Sequence, residues 1–199
     1  MILQALARYY DILTQDPAII IAPPGYSTTG VSHALNISIT GSLLDVLPLY
    51  EQVQRGKKMV DVARRMQVPQ QVKRSSGISP NFLCDNNVYV LGVSKKDSSD
   101  PEYAIKRFNA FREFNLELLK QADSDPARAV IAFLERHNPQ NALQHPVIAN
   151  QLEGLLEGGN IAFMFNGTFV HDDPVIRMVW EKYKLGKDAV MSQCLVSGE

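Results

Sequence analysis

Three Asp-Pro dipeptides mark where the second half of this chain becomes helical. They occur at 100–101, 125–126 and 173–174. Acidic residues favour the position that caps a helix, and proline favours the first helical position because the N–H that it lacks has no partner there. The dipeptides therefore predict helices with Asp caps over 101–122, 126–137 and 174–185.

Other segments of the second half have their own signals. Pro146–Leu156 has helical spacing and is followed by a glycine pair at 158–159, which predicts a helix that stops there. Two apolar runs, 161–165 and 190–196, predict strands. The chain then ends in Ser-Gly-Glu directly after a predicted strand, so we expect it to be a fragment of a longer protein.

The first half carries strand signals. Residues 33–39 alternate between apolar and polar side chains, which predicts a half-buried strand. Gly41-Ser42 predicts a turn, and 43–50 is predicted to be the return strand of a hairpin. Pro48 indicates that this return strand either lies at the edge of a sheet or ends there. Met59–Val68 favours a strand over a helix. One amphipathic helix is expected over 2–14, with its Leu-Tyr stripe in the core.

The predicted fold is α+β, with an antiparallel β-rich N-terminal part over 1–97 and a helical C-terminal part over 98–199, in a single domain. The longest apolar run, Ala18–Ala22, is too short to span a bilayer, so no membrane partner is expected. The chain has 2 cysteines, 110 positions apart, which excludes a zinc-finger pattern or a disulfide framework and indicates the cytoplasm.

The charge of the chain is unevenly distributed. Residues 55–96 carry nine cations and two acids, whereas the whole chain has a net charge of −1. A positive window of this kind attracts polyanions, and binding of phosphates through it would depend on salt. Lys57 and Lys58 are expected to extend this basic track.

The stretch 68–92 lies inside the basic window and is the best candidate for a binding loop. Its cations, hydroxyls, exposed backbone N–H groups and amides suit a nucleic-acid backbone and base edges. Two β-type runs, Met66–Val68 and Val88–Leu91, are expected to frame it. The candidate DNA-binding residues of the stretch are Gln71, Lys73, Arg74, Ser75, Ser76, Gly77 and Asn81.

Catalytic and metal chemistry have no positive support in the sequence. The segment 25–32 has the glycine spacing of a phosphate-binding loop, but Val31 stands where the lysine is needed. A polar loop is expected over Gly25–Gly30, where the residues favour a plain connector over a loop from which Tyr26 touches a nucleic-acid backbone. The cluster His171-Asp172-Asp173 resembles a metal site only superficially, because Asp173 is needed as a helix cap. We therefore expect no enzyme activity, no metal and no cofactor.

Several elements of the chain, in order from end to end, resemble one protein family. They are the start MILQAL with Tyr9-Tyr10, the IAPPGYS segment, the VPQ, VKRSSGI, PNFL, DN and YVLG elements of 68–92, and the final CLVSGE. The family is the large subunit of the type I-C (Dvulg subtype) CRISPR Cascade complex. Its members are about three times longer, so the resemblance again implies an N-terminal fragment.

The resemblance implies a function in DNA recognition. In that family, guide RNA reads most of the target while the large subunit contacts the short T/C-rich protospacer-adjacent motif in double-stranded DNA. The other Cascade subunits, the guide RNA and a separate helicase-nuclease are its implied partners. On this basis Lys73 and Arg74 are expected to contact phosphates or to enter the minor groove. Ser75, Ser76 and Gly77 are expected to bring backbone N–H groups close, and Gln71 and Asn81 to read base edges.

Two other classes remain open from the sequence. The basic window could hold the guide-RNA handle or a neighbouring subunit, without any DNA specificity of its own. Less consistent with the residues is a metal-dependent nuclease that uses acids such as Asp172.

Overall fold

The computed structural model describes residues 2–15, 21–93 and 101–188 and confirms an α+β fold. The predicted strand at 190–196 and the cations Lys95 and Lys96 lie outside these residues. Within them, the helices are α1 (Ile2–Gln15), α2 (Asn87–Leu91), α3 (Pro101–Leu119), α4 (Asp125–Arg136), α5 (Pro146–Ala149), α6 (Leu152–Leu156) and α7 (Pro174–Asp188).

Seven strands of the described residues form one mixed sheet; five follow the order β3-β4-β1-β6-β5, while β2 pairs with β1 and β7 with β6. They are β1 (Tyr26–Ile37), β2 (Leu43–Pro48), β3 (Tyr50–Arg55), β4 (Lys58–Pro69), β5 (Cys84–Asn86), β6 (Asn160–Phe165) and β7 (Thr168–Phe169). The β1–β2 hairpin and its end at Pro48 are confirmed. Most pairs are antiparallel, but β6, from the helical half, pairs in parallel with β1. The two halves therefore share one sheet.

The long strand β1 corrects the loop expected at Gly25–Gly30. Only Gly25, with φ of +82°, lies in a turn, and the strand begins at the next residue. Tyr26 to Val31 pair with Pro69 to Arg64 of β4. Backbone pairing with β4 supplies the partners that a free polar loop would have sought from water or ligand.

The segment Val88–Leu91 is helical, so the strand predicted there is wrong. Asn86 caps α2 by accepting hydrogen bonds from the N–H groups of Val88 and Tyr89, and Gly92 ends it in the left-handed conformation. An added Cβ on Gly92 would lie 2.6 Å from Pro139 Cβ. Two caps and burial of all five helical residues outweigh the β-propensity of valine and tyrosine.

The helices after residue 100 cover the sheet and enclose the core. Phe108 and Phe111 of α3, Phe133 of α4 and Phe163 of β6 form a buried aromatic cluster, with Phe133 and Phe163 at 5.5 Å between ring centroids. These phenylalanines therefore lie in the core. Asp173 caps α7 as predicted, through bonds to Val175 and Ile176 N–H. Ser124, not Asp125, caps α4.

Two helical predictions need correction. The segment 146–156 is broken into α5 and α6 rather than forming one helix. Helix α1 is present as predicted, but its apolar stripe is not in the core. Leu3, Leu6 and Tyr10 are 50%, 57% and 45% exposed, so this face has no partner within the described residues that buries it.

Candidate nucleic-acid interface

The candidate site is the 70–83 loop, the segment between β4 and β5. These strands are not neighbours, because β1 and β6 lie between them in the sheet, so the loop must cross past both. Its start is tied to the start of β1. The N–H of Gln70 donates to Gly25 O at 2.9 Å, and the N–H of Gln71 donates to Ser27 Oγ at 3.1 Å.

The ion pair between Arg74 and Asp85 closes this loop. The guanidinium donates to both carboxylate oxygens, with Nη1 at 2.9 Å from Oδ1, and its Nε donates to Ser79 O at 2.6 Å. Its Cζ also lies 4.1 Å from the centroid of the Tyr89 ring. The Asp85 side chain is fully buried. The guanidinium of Arg74 therefore holds the loop in place through contacts within the protein, whereas the sequence predicted a contact with phosphates.

Burial raises the pKa of Asp85, and hydrogen bonds oppose that shift. Apart from Arg74, the carboxylate accepts hydrogen bonds from the N–H groups of Asn81 and Asn86, both at 2.8 Å. A buried carboxylate with this many donors anchors the backbone on both sides of it.

The two amides expected to read bases also have partners inside the protein. Asn81 is 3% exposed; its Oδ1 accepts from Val72 N–H at 2.8 Å and its Nδ2 donates to Gln71 Oε1 at 2.9 Å. Gln71 in turn donates to Cys84 O at 2.9 Å. Since reading a base would require these bonds to break, the geometry assigns Gln71 and Asn81 to the support of the loop.

Asn115 links the loop to α3. This fully buried side chain accepts from the N–H of Leu83 at 2.8 Å and donates to Asn81 O at 3.2 Å. Leu83 has a φ of +56°, a left-handed conformation that is unfavourable for leucine. The sequence provided no local signal for Asn115, which lies 32 residues beyond Leu83.

The tip of the loop remains exposed. Lys73, Ser75, Ser76 and Gly77 all face solvent. Gly77 has a φ of +77°, and a Cβ placed on it would meet nothing within 4 Å. The tip thus combines a cation, two hydroxyls and an open backbone on a rigid base, and these are the groups that bind phosphates.

An open pocket of about 620 Å³ lies between the loop and α7. Gln70, Lys73 and Ser79 line it from the loop, while Trp180, Tyr183 and Lys184 line it from the helix. Trp180 stacks on Phe82 at 5.2 Å and on Tyr183 at 5.5 Å, and its Nε1–H donates to Gly25 O at 2.6 Å. The exposed amide of Gln70 and the cation of Lys184 are members of the site that the sequence did not predict.

Tyr26 lies beside this pocket, at the start of β1. Its hydroxyl donates to Glu181 Oε1 at 3.3 Å, and the Arg177 guanidinium lies 5.0 Å from the ring centroid. Burial raises the pKa of this phenol. The contacts place Tyr26 against α7, with the ring only partly exposed.

Lys57 and Lys58 do not lie at this site. Lys57 lies in the turn between β3 and β4 and Lys58 begins β4, whereas the loop starts after the other end of β4. Twelve residues of strand separate the two ends by roughly 35 Å. The cations of the basic window are therefore spread along the whole of β4, with Arg64 and Arg65 exposed near its middle, and Lys57 and Lys58 lie at the end far from the loop.

Two side chains that often take part in catalysis, Cys84 and His171, are buried. Burial raises the pKa of the Cys84 thiol, and His171 is 3% exposed and stacked on Phe169 at 5.4 Å. No group of three His, Cys, Asp or Glu side chains that could hold a metal occurs in the described ranges. Among those same residues, no helix has both the length and the apolarity to cross a bilayer.

A comparison with protein-family models finds one match. The model of the CRISPR-associated protein family Cas_Csd1 matches residues 6–199. Among curated proteins none matches the chain. Because the family model covers almost the whole chain, this protein belongs to the Cas_Csd1 family of CRISPR-associated proteins.

Proposed function

We propose that this member of the Cas_Csd1 family is the subunit of a type I-C CRISPR surveillance complex that recognises the protospacer-adjacent motif of double-stranded DNA. One observation carries the proposal: the 70–83 loop is closed by the ion pair of Arg74 with buried Asp85 and yet leaves Lys73, Ser75, Ser76 and Gly77 exposed. A loop held in this way can place its polar groups against DNA without a large loss of conformational entropy on binding.

The residues of the loop divide into two roles under this proposal. Lys73, the hydroxyls of Ser75 and Ser76 and the backbone at Gly77 contact phosphates. Gln70 has an exposed amide at the rim of the pocket. An amide side chain can form two hydrogen bonds with the edge of an adenine base. Arg74, Gln71 and Asn81 act from beneath by holding the loop, and Lys184 adds positive charge across the pocket.

Protein and guide share the recognition of DNA in this account. The guide RNA pairs with the target strand, and the chain reads only the short motif before the duplex opens. Its partners are then double-stranded DNA, the guide RNA, the other Cascade subunits and a helicase-nuclease that cuts the target. The chain itself performs no catalysis.

A competition gel shift with the assembled complex tests the proposal. Wild type should prefer duplex that carries the T/C-rich motif over the same duplex with the motif scrambled. The variant Gln70→Ala with Lys73→Gln should lose that preference and keep the wild-type melting temperature. A matched control, Gln140→Ala with Lys120→Gln, changes two exposed residues elsewhere. If the loop variant discriminates like wild type, the loop does not read the motif.

A docking function is the second candidate, and α1 favours it. Ile2, Leu6 and Ile12 are 80%, 57% and 64% exposed, which leaves an apolar helical face suited to a partner protein. Leu6→Ser with Ile12→Ser should then release the chain from the complex. If this variant stays in the complex, α1 is not a docking surface.

A further inference from the structure

The β3–β4 hairpin projects from the sheet as a two-stranded ribbon. The first half of β4, Lys58–Ala63, pairs with β3, whereas its second half, Arg64–Pro69, pairs with β1. The β3–β4 ribbon, residues 50–63, therefore leaves the edge of β1 between the part of β1 that pairs with β4 and the part that pairs with β2. All six residues of β3 are exposed. Six paired positions give the ribbon a length of roughly 20 Å.

The tip of the ribbon is strongly positive. Arg55 pairs with Lys58 across a two-residue turn, Gly56-Lys57, in which Gly56 has a φ of +63°. Glycine with positive φ at the first central position is the requirement of a tight type II′ hairpin turn. The turn thus presents three exposed cations within four residues: Arg55, Lys57 and Lys58.

The charges of the ribbon are ordered from tip to base. Within the described part of the chain, no carboxylate lies within 4.0 Å of the three tip cations. The acids of the ribbon lie nearer its base. Glu51 pairs with Arg64 at 3.6 Å, and Asp61 lines a pocket with Glu153 and Glu157. Of the ribbon, the tip is therefore the part with uncompensated positive charge, to which a polyanion is attracted most strongly.

The dimensions of the ribbon select the kind of polyanion. The major groove of B-form DNA is about 12 Å wide and about 8.5 Å deep, and it admits a two-stranded β-ribbon. The major groove of A-form RNA is deep and too narrow for such an element. A ribbon that stands clear of its sheet can enter the groove without a clash from neighbouring strands.

We propose that the β3–β4 ribbon is a second DNA-binding element, which inserts its tip into the major groove and contacts phosphates through Arg55, Lys57 and Lys58 without regard to sequence. This goes beyond the proposed function, because it requires no protospacer-adjacent motif. With the tip roughly 35 Å from the 70–83 loop along β4, the two contacts lie about one turn of B-DNA apart.

Fluorescence anisotropy of the 199-residue chain with a motif-free DNA duplex of about 30 base pairs, titrated at about 50 to 200 mM salt, tests this. The tip variant Arg55→Gln, Lys57→Gln, Lys58→Gln should bind at least about tenfold more weakly than wild type. Its salt slope should fall by about 0.9 for each phosphate that the protein no longer neutralises. The control variant Lys106→Gln, Lys120→Gln, Lys182→Gln removes the same charge from exposed sites on α3, at its end and on α7.

The outcomes distinguish DNA binding by the ribbon tip from a general effect of charge and from a protein interface. Control binding within about twofold of wild type, together with weaker binding by the tip variant, supports the ribbon. The proposal would be overturned if both variants bind DNA equally weakly, or if the wild type does not bind. It would also be overturned if the tip variant loses as much affinity for duplex RNA as for duplex DNA. Intact DNA binding with self-association that depends on β3 would overturn it too, since that result assigns the exposed strand edge to a protein partner.

Two further measurements complete the test. Melting temperatures check that each variant is folded, and Lys57→Gln alone should remove about one unit of salt slope. Because this duplex lacks the motif, the experiment can refute DNA binding by the ribbon while the preference for the protospacer-adjacent motif still holds.

Discussion

The guanidinium of Arg74 donates two hydrogen bonds to the buried carboxylate of Asp85, which lies eleven residues further along the chain. This pair joins the middle of the 70–83 loop to β5. It explains how a segment rich in polar residues can be ordered, and it separates the cation that holds the loop from the cation that faces solvent.

Removing the carboxylate should destabilise the protein strongly. Asp85→Ala leaves Arg74 without its partner and removes the acceptor of the Asn81 and Asn86 N–H groups. Breaking a buried pair by removing one member costs about 3–5 kcal/mol. Urea denaturation would measure this. Asp123→Ala is the matched control, because its pair with Arg128 is exposed and should contribute nothing measurable. Equal stability of the two variants would refute the anchoring role.

The adjacent cations should have different effects. Arg74→Ala should lower the free energy of unfolding, because it leaves the buried Asp85 carboxylate without its charged partner. Lys73→Ala should leave stability unchanged within about 0.5 kcal/mol, because it is a surface substitution. In a gel shift, Lys73→Ala should weaken DNA binding and flatten the salt dependence. A loss of stability in Lys73→Ala, or none in Arg74→Ala, would contradict this division.

Two glycines with similar backbone angles should tolerate alanine differently. Gly41 and Gly77 have φ of +74° and +77°, so alanine is strained at both by about 1–2 kcal/mol. At Gly41 the Cβ would also lie 2.3 Å from the α4 backbone at Ala132, whereas at Gly77 it meets nothing within 4 Å. Thermal melting should therefore show a much larger loss of stability for Gly41→Ala. Equal effects would mean that β1–β2 does not pack against α4 as described.

Stability should fall as the solution becomes acidic, in part because of His137. Burial lowers the pKa of this ring, which stacks on Phe133 at 5.2 Å. The unfolded chain, with a pKa near 6.5, then binds the proton first. The contribution of His137 is thus complete above about pH 6.5 and is lost as the pH falls towards the folded pKa, by at most about 1.4 kcal/mol per pH unit.

Denaturation between about pH 7.5 and 5.5 would measure this slope. His137→Gln should flatten it without removing it, because burial also lowers the pKa of His33 and His171. A slope unchanged in His137→Gln would show that this ring does not titrate on unfolding.

Local signals in the sequence predicted local structure well. Asp173 caps α7, and Gly41 lies in the turn of the β1–β2 hairpin. Each of these depends on residues within one or two turns of each other. The α+β class follows from them.

Features that depend on distant residues were not predictable in this way. The Arg74–Asp85 pair, the parallel β1–β6 pairing and the approach of Lys184 to the 70–83 loop join residues with no periodic relation. The apolar run Val88–Leu91 became a helix because its neighbours Asn86 and Gly92 cap it. Composition indicated one basic window, but its cations are spread along β4, which is roughly 35 Å long.

Photocrosslinking from Ser76 tests the central claim most directly. This exposed residue lies at the loop tip, and a photoreactive phenylalanine there in the assembled complex should crosslink to target DNA at the protospacer-adjacent motif. The same probe at exposed Lys120 is the control and should give no crosslink to the motif. Crosslinks from position 76 that map to the motif support the account. Crosslinks confined to guide RNA, to another subunit or to DNA far from the motif would contradict it.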